Sequence, residues 1–170
     1  MDSISYGLVM KEIERCDSGF RSFASVQGAL VMFPINSFGS DEQKNKWLQP
    51  LAKGEAVGAF ALTEPDGGSD PAAMKTRVED RGDHWILNGS KMWVTNGSIA
   101  DVVLVWARGP EGIAGFLVPK GLAGFEVREM QGRLSLRTSV TAELYFQNVK
   151  LPKSAQMPGT DGLGSALKVP

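Results

Sequence analysis

The hydrophobic rhythm of the chain changes near residue 56. Before that point apolar residues recur at helical spacing, and after it they alternate or run in short blocks. Ile4, Leu8 and Ile13 fall roughly on one face, with Lys11, Glu12, Glu14 and Arg15 around the rest, which predicts an amphipathic helix. Cys16-Asp17-Ser18-Gly19 ends it. Ser22 to Phe33 is more continuously apolar and predicts a buried helix that passes Pro34 and stops at Gly39. Ser40-Asp41-Glu42-Gln43 is a capping-box pattern, opening a short polar helix through about Leu48, with Pro50 and Gly54 closing the region.

The second rhythm predicts strands. Val57 to Thr63 is the first. Met74 to Val78 and His84 to Leu87 flank the turn Asp80-Arg81-Gly82-Asp83, a hairpin signal. Asn88-Gly89 reads as a tight turn leading into Lys91 to Thr95. Val102 to Ala107, Ile113 to Val118, Phe125 to Arg128 and Thr141 to Phe146 follow, and Leu151-Pro152 then leaves the sheet. Strands at this spacing, with no helix between them, argue for an antiparallel β-barrel or sandwich. The expected fold is therefore α+β, with a helical segment over 1–56, a β-domain over 57–152 and a linker with the start of a helical region over 153–170. Gly162 to Pro170 begins an apolar pattern and stops, so the whole reads as an excised segment of a larger protein.

Composition narrows the function. A chain of 170 residues with 42% hydrophobic and 22% charged residues is ordinary for a globular protein. A net charge of -1, without a Lys/Arg block, argues against nucleic acid as a partner. The longest apolar run, Gly28 to Ile35, is too short to span a bilayer, and no secretory signal follows Met1. The single cysteine, Cys16, excludes an internal disulfide and reads as a helix-packing residue. One His and one Cys make neither a zinc site nor a histidine-based triad, and no metal is expected. His84 reads as solvent-exposed. A glycine-rich dinucleotide fingerprint and a P-loop are both missing from the sequence.

Two segments carry the candidate chemistry. Leu62-Thr63-Glu64-Pro65 ends a strand, and Asp66-Gly67-Gly68-Ser69-Asp70 follows as a flexible loop rich in amides and hydroxyls. Trp93-Val94-Thr95-Asn96 ends another strand. Each has a plain reading, as a strand-to-turn junction and as a core tryptophan beside an edge threonine. Each also sets hydroxyls and amides beside apolar groups, which a flat redox-active ring with polar edges requires. Arg21 stands between two apolar helical segments with Ser22 and Ser25, and needs a partner: Glu14, or a carboxylate on a substrate.

In this order the two segments resemble the flavin site of the acyl-CoA dehydrogenases. Tyr6-Gly7-Leu8, Glu12-Ile13-Glu14-Arg15, Asp17-Ser18-Gly19-Phe20-Arg21-Ser22, Leu87-Asn88-Gly89-Ser90-Lys91 and Gln131-Gly132-Arg133-Leu134-Ser135-Leu136-Arg137 are similar to the glutaryl-CoA branch of that family. The resemblance implies helical N-terminal, middle β and helical C-terminal domains, with the last of these absent. It implies FAD contacts at Phe60, Leu62, Thr63, Ser69, Trp93, Val94 and Thr95. It further implies substrate contacts at Arg21, Ser22, Ser69, Glu14 and Ser25. The implied reaction oxidises and decarboxylates glutaryl-CoA to crotonyl-CoA, with electron-transfer flavoprotein as acceptor and a homo-oligomer as the full-length state. The implied compartment is the cytoplasm in a bacterium and the mitochondrial matrix in a eukaryote. No residue here matches the family's catalytic glutamate, so no catalytic residue is expected in this chain and the chain alone is expected to be inactive. The competing readings are a monoacid acyl-CoA dehydrogenase, an acyl-CoA oxidase, and a non-catalytic binding or assembly module.

Overall fold

The computed structural model describes residues 2–160 and 162–168. Helix α1 (Ser3–Cys16) opens at Asp2, whose carboxylate accepts the amides of Ile4 and Ser5. Asp17 ends α1 in extended backbone and caps α2 (Ser18–Ser25) by accepting from Gly19 and Phe20. The apolar face expected of α1 is not covered: Ile4 is 78% exposed and Leu8 59%. Cys16 is likewise exposed and packs no helix.

The predicted buried helix is continuous in path but not in pitch. Wider π-type turns run over Val26–Met32, and α3 (Phe33–Phe38) follows, with Pro34 in its first turn and Gly39 as its end. In α4 (Asp41–Lys53) the capping box forms both bonds, Gln43 N to Ser40 Oγ at 3.2 Å and Ser40 N to Gln43 Oε1 at 2.9 Å. The helix runs past Leu48 and through Pro50, ending at Gly54 with φ 72°. Gln27 ties these helices to the sheet. Its Nε2 donates to the carbonyls of Leu51 and Ala56, and its Oε1 accepts the amide of Gly58.

The strands are β1 (Gly58–Ala61), β2 (Arg77–Asp80), β3 (His84–Thr95), β4 (Val102–Gly109), β5 (Gly112–Pro119), β6 (Phe125–Glu129) and β7 (Thr141–Pro152). A short helix, α5 (Leu163–Leu167), follows the sheet. Most pairings are antiparallel, as expected. β1 against β4, and β2 against β4 at Arg77–Arg108, are parallel. The sheet order is β1-β4-β2-β3-β7-β6, with β5 also on β4; it is sandwich-like and does not close as a barrel. β4 explains the continuous apolar run at its position, because both its faces are buried. Val103, Val105 and Ala107 join the core within the sheet, whereas Val102, Leu104 and Trp106 join the core beneath the helices. No helix among the described residues is long and apolar enough to cross a membrane.

Three strand-level expectations change. Leu151-Pro152 stays in β7 opposite Trp85 and His84. His84 is half-buried, with Nδ1 2.5 Å from Asp83. Asn88-Gly89 is no turn, since β3 crosses it unbroken. A register shift there places an extra residue on β7, and Asn88 fills the irregularity by bonding the amide and side chain of Asn148, which has φ 52°. Gly89 has φ +141°, and a Cβ there would lie 2.5–2.8 Å from Thr76. Gly89→Ala therefore lowers stability by about 1–3 kcal/mol through strain and overpacking, read as a fall in thermal midpoint. An unchanged midpoint would mean that Thr76 moves freely.

Candidate functional site

β1 alternates strictly. Ala59 and Ala61 point into the core within the sheet, and Phe60 and Leu62 face the helices, where Phe60 packs at 6.4 Å from the Trp106 ring. Val94 of β3 is buried in the same inner core as the two alanines, which leaves only its backbone to meet any ligand there. Thr95, its neighbour, therefore takes the opposite face of β3.

Trp93 is the exceptional residue. It is 56% exposed and has φ 61°. It sits in a bulge where Lys91 pairs with Leu144 and Val94 with Ala142, leaving one extra residue on β3. A bulky side chain in left-handed backbone costs on the order of 1–3 kcal/mol.

The two candidate segments do meet. The amide of Met92 donates to Thr63 O at 2.9 Å. Lys91 Nζ donates to Leu62 O at 2.8 Å and to Glu64 Oε1 at 3.0 Å, with side-chain exposures of 0% and 7% for the pair. Glu64 also accepts the amides of Lys75 at 2.7 Å and Thr76 at 2.9 Å. Burial pushes the Glu64 carboxyl up, but the Lys75 and Thr76 donors and the Lys91 ammonium more than offset it and hold the group low. Burial lowers Lys91, and Glu64 only partly opposes that.

The segment after Thr63 is more ordered than the expected flexible loop. Glu64 and Gly67 exchange backbone bonds of 2.9 and 3.2 Å, and Lys75 pairs with Asp66 at 2.8 Å. Beyond this turn Ser69 is exposed. The hydroxyls of Thr63, Ser69 and Thr95 make no hydrogen bond among the described residues.

The helical candidates form a second cluster. Ser18, Arg21, Ser22 and Ser25 recur at three- and four-residue spacing on α2, so they share a polar, half-buried stripe. Arg21 Nε binds Glu14 Oε2 at 2.7 Å, while Ser18 Oγ donates to Glu14 Oε1 at 2.6 Å. These bonds, that of Arg21 first, hold the Glu14 carboxyl below its ordinary value. Arg21 is 35% exposed and uses only Nε in this pair, leaving both terminal nitrogens without a protein partner among the described residues. Beside this stripe lies the segment Leu134–Thr138. Thr138 Oγ1 donates to Asp17 Oδ1 at 2.6 Å, and a Cβ on Gly19 would strike Thr138 Oγ1 at 2.0 Å. No described hydrogen bond or ion pair joins this cluster directly to Thr63 or Trp93.

Sequence reading missed Lys91, Thr76, Gln27 and Asn96, the last buried at φ 66° with Nδ2 on Gly58 O. The signal for Lys91 was a charge inside an otherwise inward-alternating strand. Its partner, 27 positions away, was not readable.

Residues 59–149, more than half of the chain, match the acyl-CoA dehydrogenase middle domain, and residues 1–55 match the N-terminal domain of that family. The structure resembles glutaryl-CoA dehydrogenase from Mycobacterium smegmatis, with TM-score 0.97 and 54% identity, over 99% of this chain and 43% of that one. A glutaryl-CoA dehydrogenase of the same organism in complex with FADH2 gives 0.96 and 57%, over 98% and 43%. The short-chain specific acyl-CoA dehydrogenase of Clostridium acetobutylicum is 38% identical over 168 residues, 96% of this chain and 44% of the relative. The chain thus spans less than half the length of these relatives.

Proposed function

The chain belongs to the acyl-CoA dehydrogenase family, and we propose that it is part of an FAD-dependent enzyme that oxidises and decarboxylates glutaryl-CoA to crotonyl-CoA. The observation that carries the diacid reading is Arg21, a cation on a polar stripe with its terminal nitrogens unpaired. A neutral acyl tail gains nothing from such a group, whereas a distal carboxylate can take both nitrogens.

The flavin reading rests on the fit of the residues. Trp93 offers an exposed ring, Phe60 and Leu62 offer apolar surface, and the Thr63 and Thr95 hydroxyls are free among the described residues to bond a ring edge. Ser69 stands on the turn beyond Thr63, where it can reach the cofactor or the thioester. FAD, when bound, supplies the acceptor for the hydride leaving the β-carbon. The residues of this chain bind and orient; the proton from the α-carbon needs a base, and none is assigned among the described residues. Domain limits of 1–56, 57–152 and 153–170, a homo-oligomeric whole protein and electron transfer to an electron-transfer flavoprotein belong to the same proposal. So does a cytoplasmic or mitochondrial-matrix location.

A short-chain monoacid is the second reading. It is favoured by the Clostridium acetobutylicum relative and by Glu14, which already partners Arg21. The flavin assignment is tested separately from the substrate. Thr63→Val and Thr95→Val in the full-length protein shift the bound flavin's absorption or potential, each lost bond costing about 0.5–1.5 kcal/mol. Unchanged spectrum, affinity and potential in both variants would remove the assignment.

A further inference from the structure

We infer that the buried Lys91–Glu64 pair is a positioning device that sets the Thr63 segment against the Trp93 bulge. The inference rests on the flavin reading above and gives it a mechanical basis. The ladder between β1 and β4 stops at Ala61–Val105. Leu62, Thr63 and Glu64 therefore lie beyond the sheet bonds that hold β1. What fixes them comes from β3. The Lys91 ammonium takes the carbonyl before Thr63 and the carboxylate after it, and the Met92 amide takes the carbonyl of Thr63 itself. Lys91 lies two positions before Trp93. Glu64 extends the tie by accepting the amides of Lys75 and Thr76, which closes the loop bearing Ser69.

Stability alone does not account for such a pair. Desolvating two charges is costly, and a well-packed apolar pair of similar volume is often as stable or more so. What an apolar pair lacks is direction. An ammonium that donates to two separate acceptors, Leu62 O and Glu64 Oε1, fixes both the spacing and the register of two chain segments. Here those segments carry the hydroxyls of Thr63 and Thr95 and the ring of Trp93, and a flat ligand bonded at both edges tolerates little change in their separation.

The experiment uses the full-length protein with Lys91→Met, Glu64→Gln and the two combined. Lys91→Met keeps the length of the stem but leaves a buried carboxylate uncompensated, so its thermal midpoint falls most. In the double variant no buried charge is stranded, and the midpoint recovers toward wild type. Positioning predicts that FAD affinity does not recover with it: Kd stays about tenfold or more above wild type and the flavin bands stay shifted, since the tie to Leu62 O is still lost. Amide exchange of the flavin-free protein at Met92, Lys75 and Thr76 rises in Lys91→Met, while the β4–β5 amides stay protected. Affinity and spectrum that return with stability in the double variant would make the pair merely structural and overturn the inference. Equal protection of those amides in wild type and Lys91→Met would also overturn it. If the wild type takes up FAD and every variant does so equally, the inference alone falls. If the wild type takes up none, the flavin reading falls and takes the inference with it.

Discussion

Supplied with FAD, glutaryl-CoA and an electron acceptor, the 170-residue chain shows no dehydrogenation above a flavin-only control. Removing a proton beside a thioester requires a positioned base, and general-base catalysis is typically worth about 10²–10⁴ in rate. Glu64 is the one buried carboxylate among the described residues. It is also the wrong one. Its oxygens already accept from Lys91, Lys75 and Thr76, which hold its pKa below that of an ordinary glutamate. A carboxylate stabilised in its charged form has little drive to take a proton, and one fixed by three donors cannot swing toward a substrate. Asp66 is exposed and paired with Lys75. The measurement is bleaching of flavin absorbance on anaerobic addition of substrate. Bleaching and turnover well above the control would place the base within this chain, and Glu64→Gln and Asp70→Asn would then locate it.

Arg21→Met in the full-length protein lowers kcat/KM for glutaryl-CoA roughly ten- to several-hundred-fold. A charge-assisted bond in a site shielded from water is worth about 1.5–3 kcal/mol, and each ~1.4 kcal/mol is a decade. Activity on a pentanoyl thioester falls less or rises, because a neutral tail meets no lost charge and a slightly more apolar wall. Glu14 sharpens the test. It holds Arg21 only through Nε, and with Ser18 it aims the guanidinium so that the terminal nitrogens stay free. Glu14→Gln keeps the cation and weakens the aim, so it lowers the diacid preference less than loss of the arginine does. The quantity to compare is the ratio of the two kcat/KM values, with folding checked by thermal melt. A ratio that Arg21→Met leaves unchanged would assign the Glu14–Arg21 pair to structure and favour the short-chain monoacid reading.

Local chemistry was well written into the chain. Ser40 and Gln43 form the capping box that their spacing predicts, and Gly39 ends its helix where the sequence places it, whereas α4 runs on past Leu48 before Gly54 ends it. The apolar block Val102 to Ala107 correctly signalled a strand, and the structure adds that both its faces are buried. The strongest local signal that failed was Asn88-Gly89. The dipeptide favours a turn, but β7 lies alongside with an extra residue of its own, and the long-range ladder overrode the local preference. The apolar face of α1 also misled, since an amphipathic stripe says only that a face is apolar and not that anything covers it.

The helices, the approximate strands, the change of architecture near residue 56 and the two hydroxyl-bearing motifs were legible along the chain, because caps, turns and periodicity are interactions between near neighbours. How those motifs meet depended on the folded arrangement. The bond from Lys91 to Glu64 spans 27 positions, that from Asn96 to Gly58 spans 38, and that from Thr138 to Asp17 spans 121. Such contacts depend on which strands lie side by side and in which register, and a shift of one residue turns every side chain to the other face. The strained, exposed backbone of Trp93 is of the same kind. It exists because one extra residue had to be absorbed against β7, and nothing within the local sequence requires it.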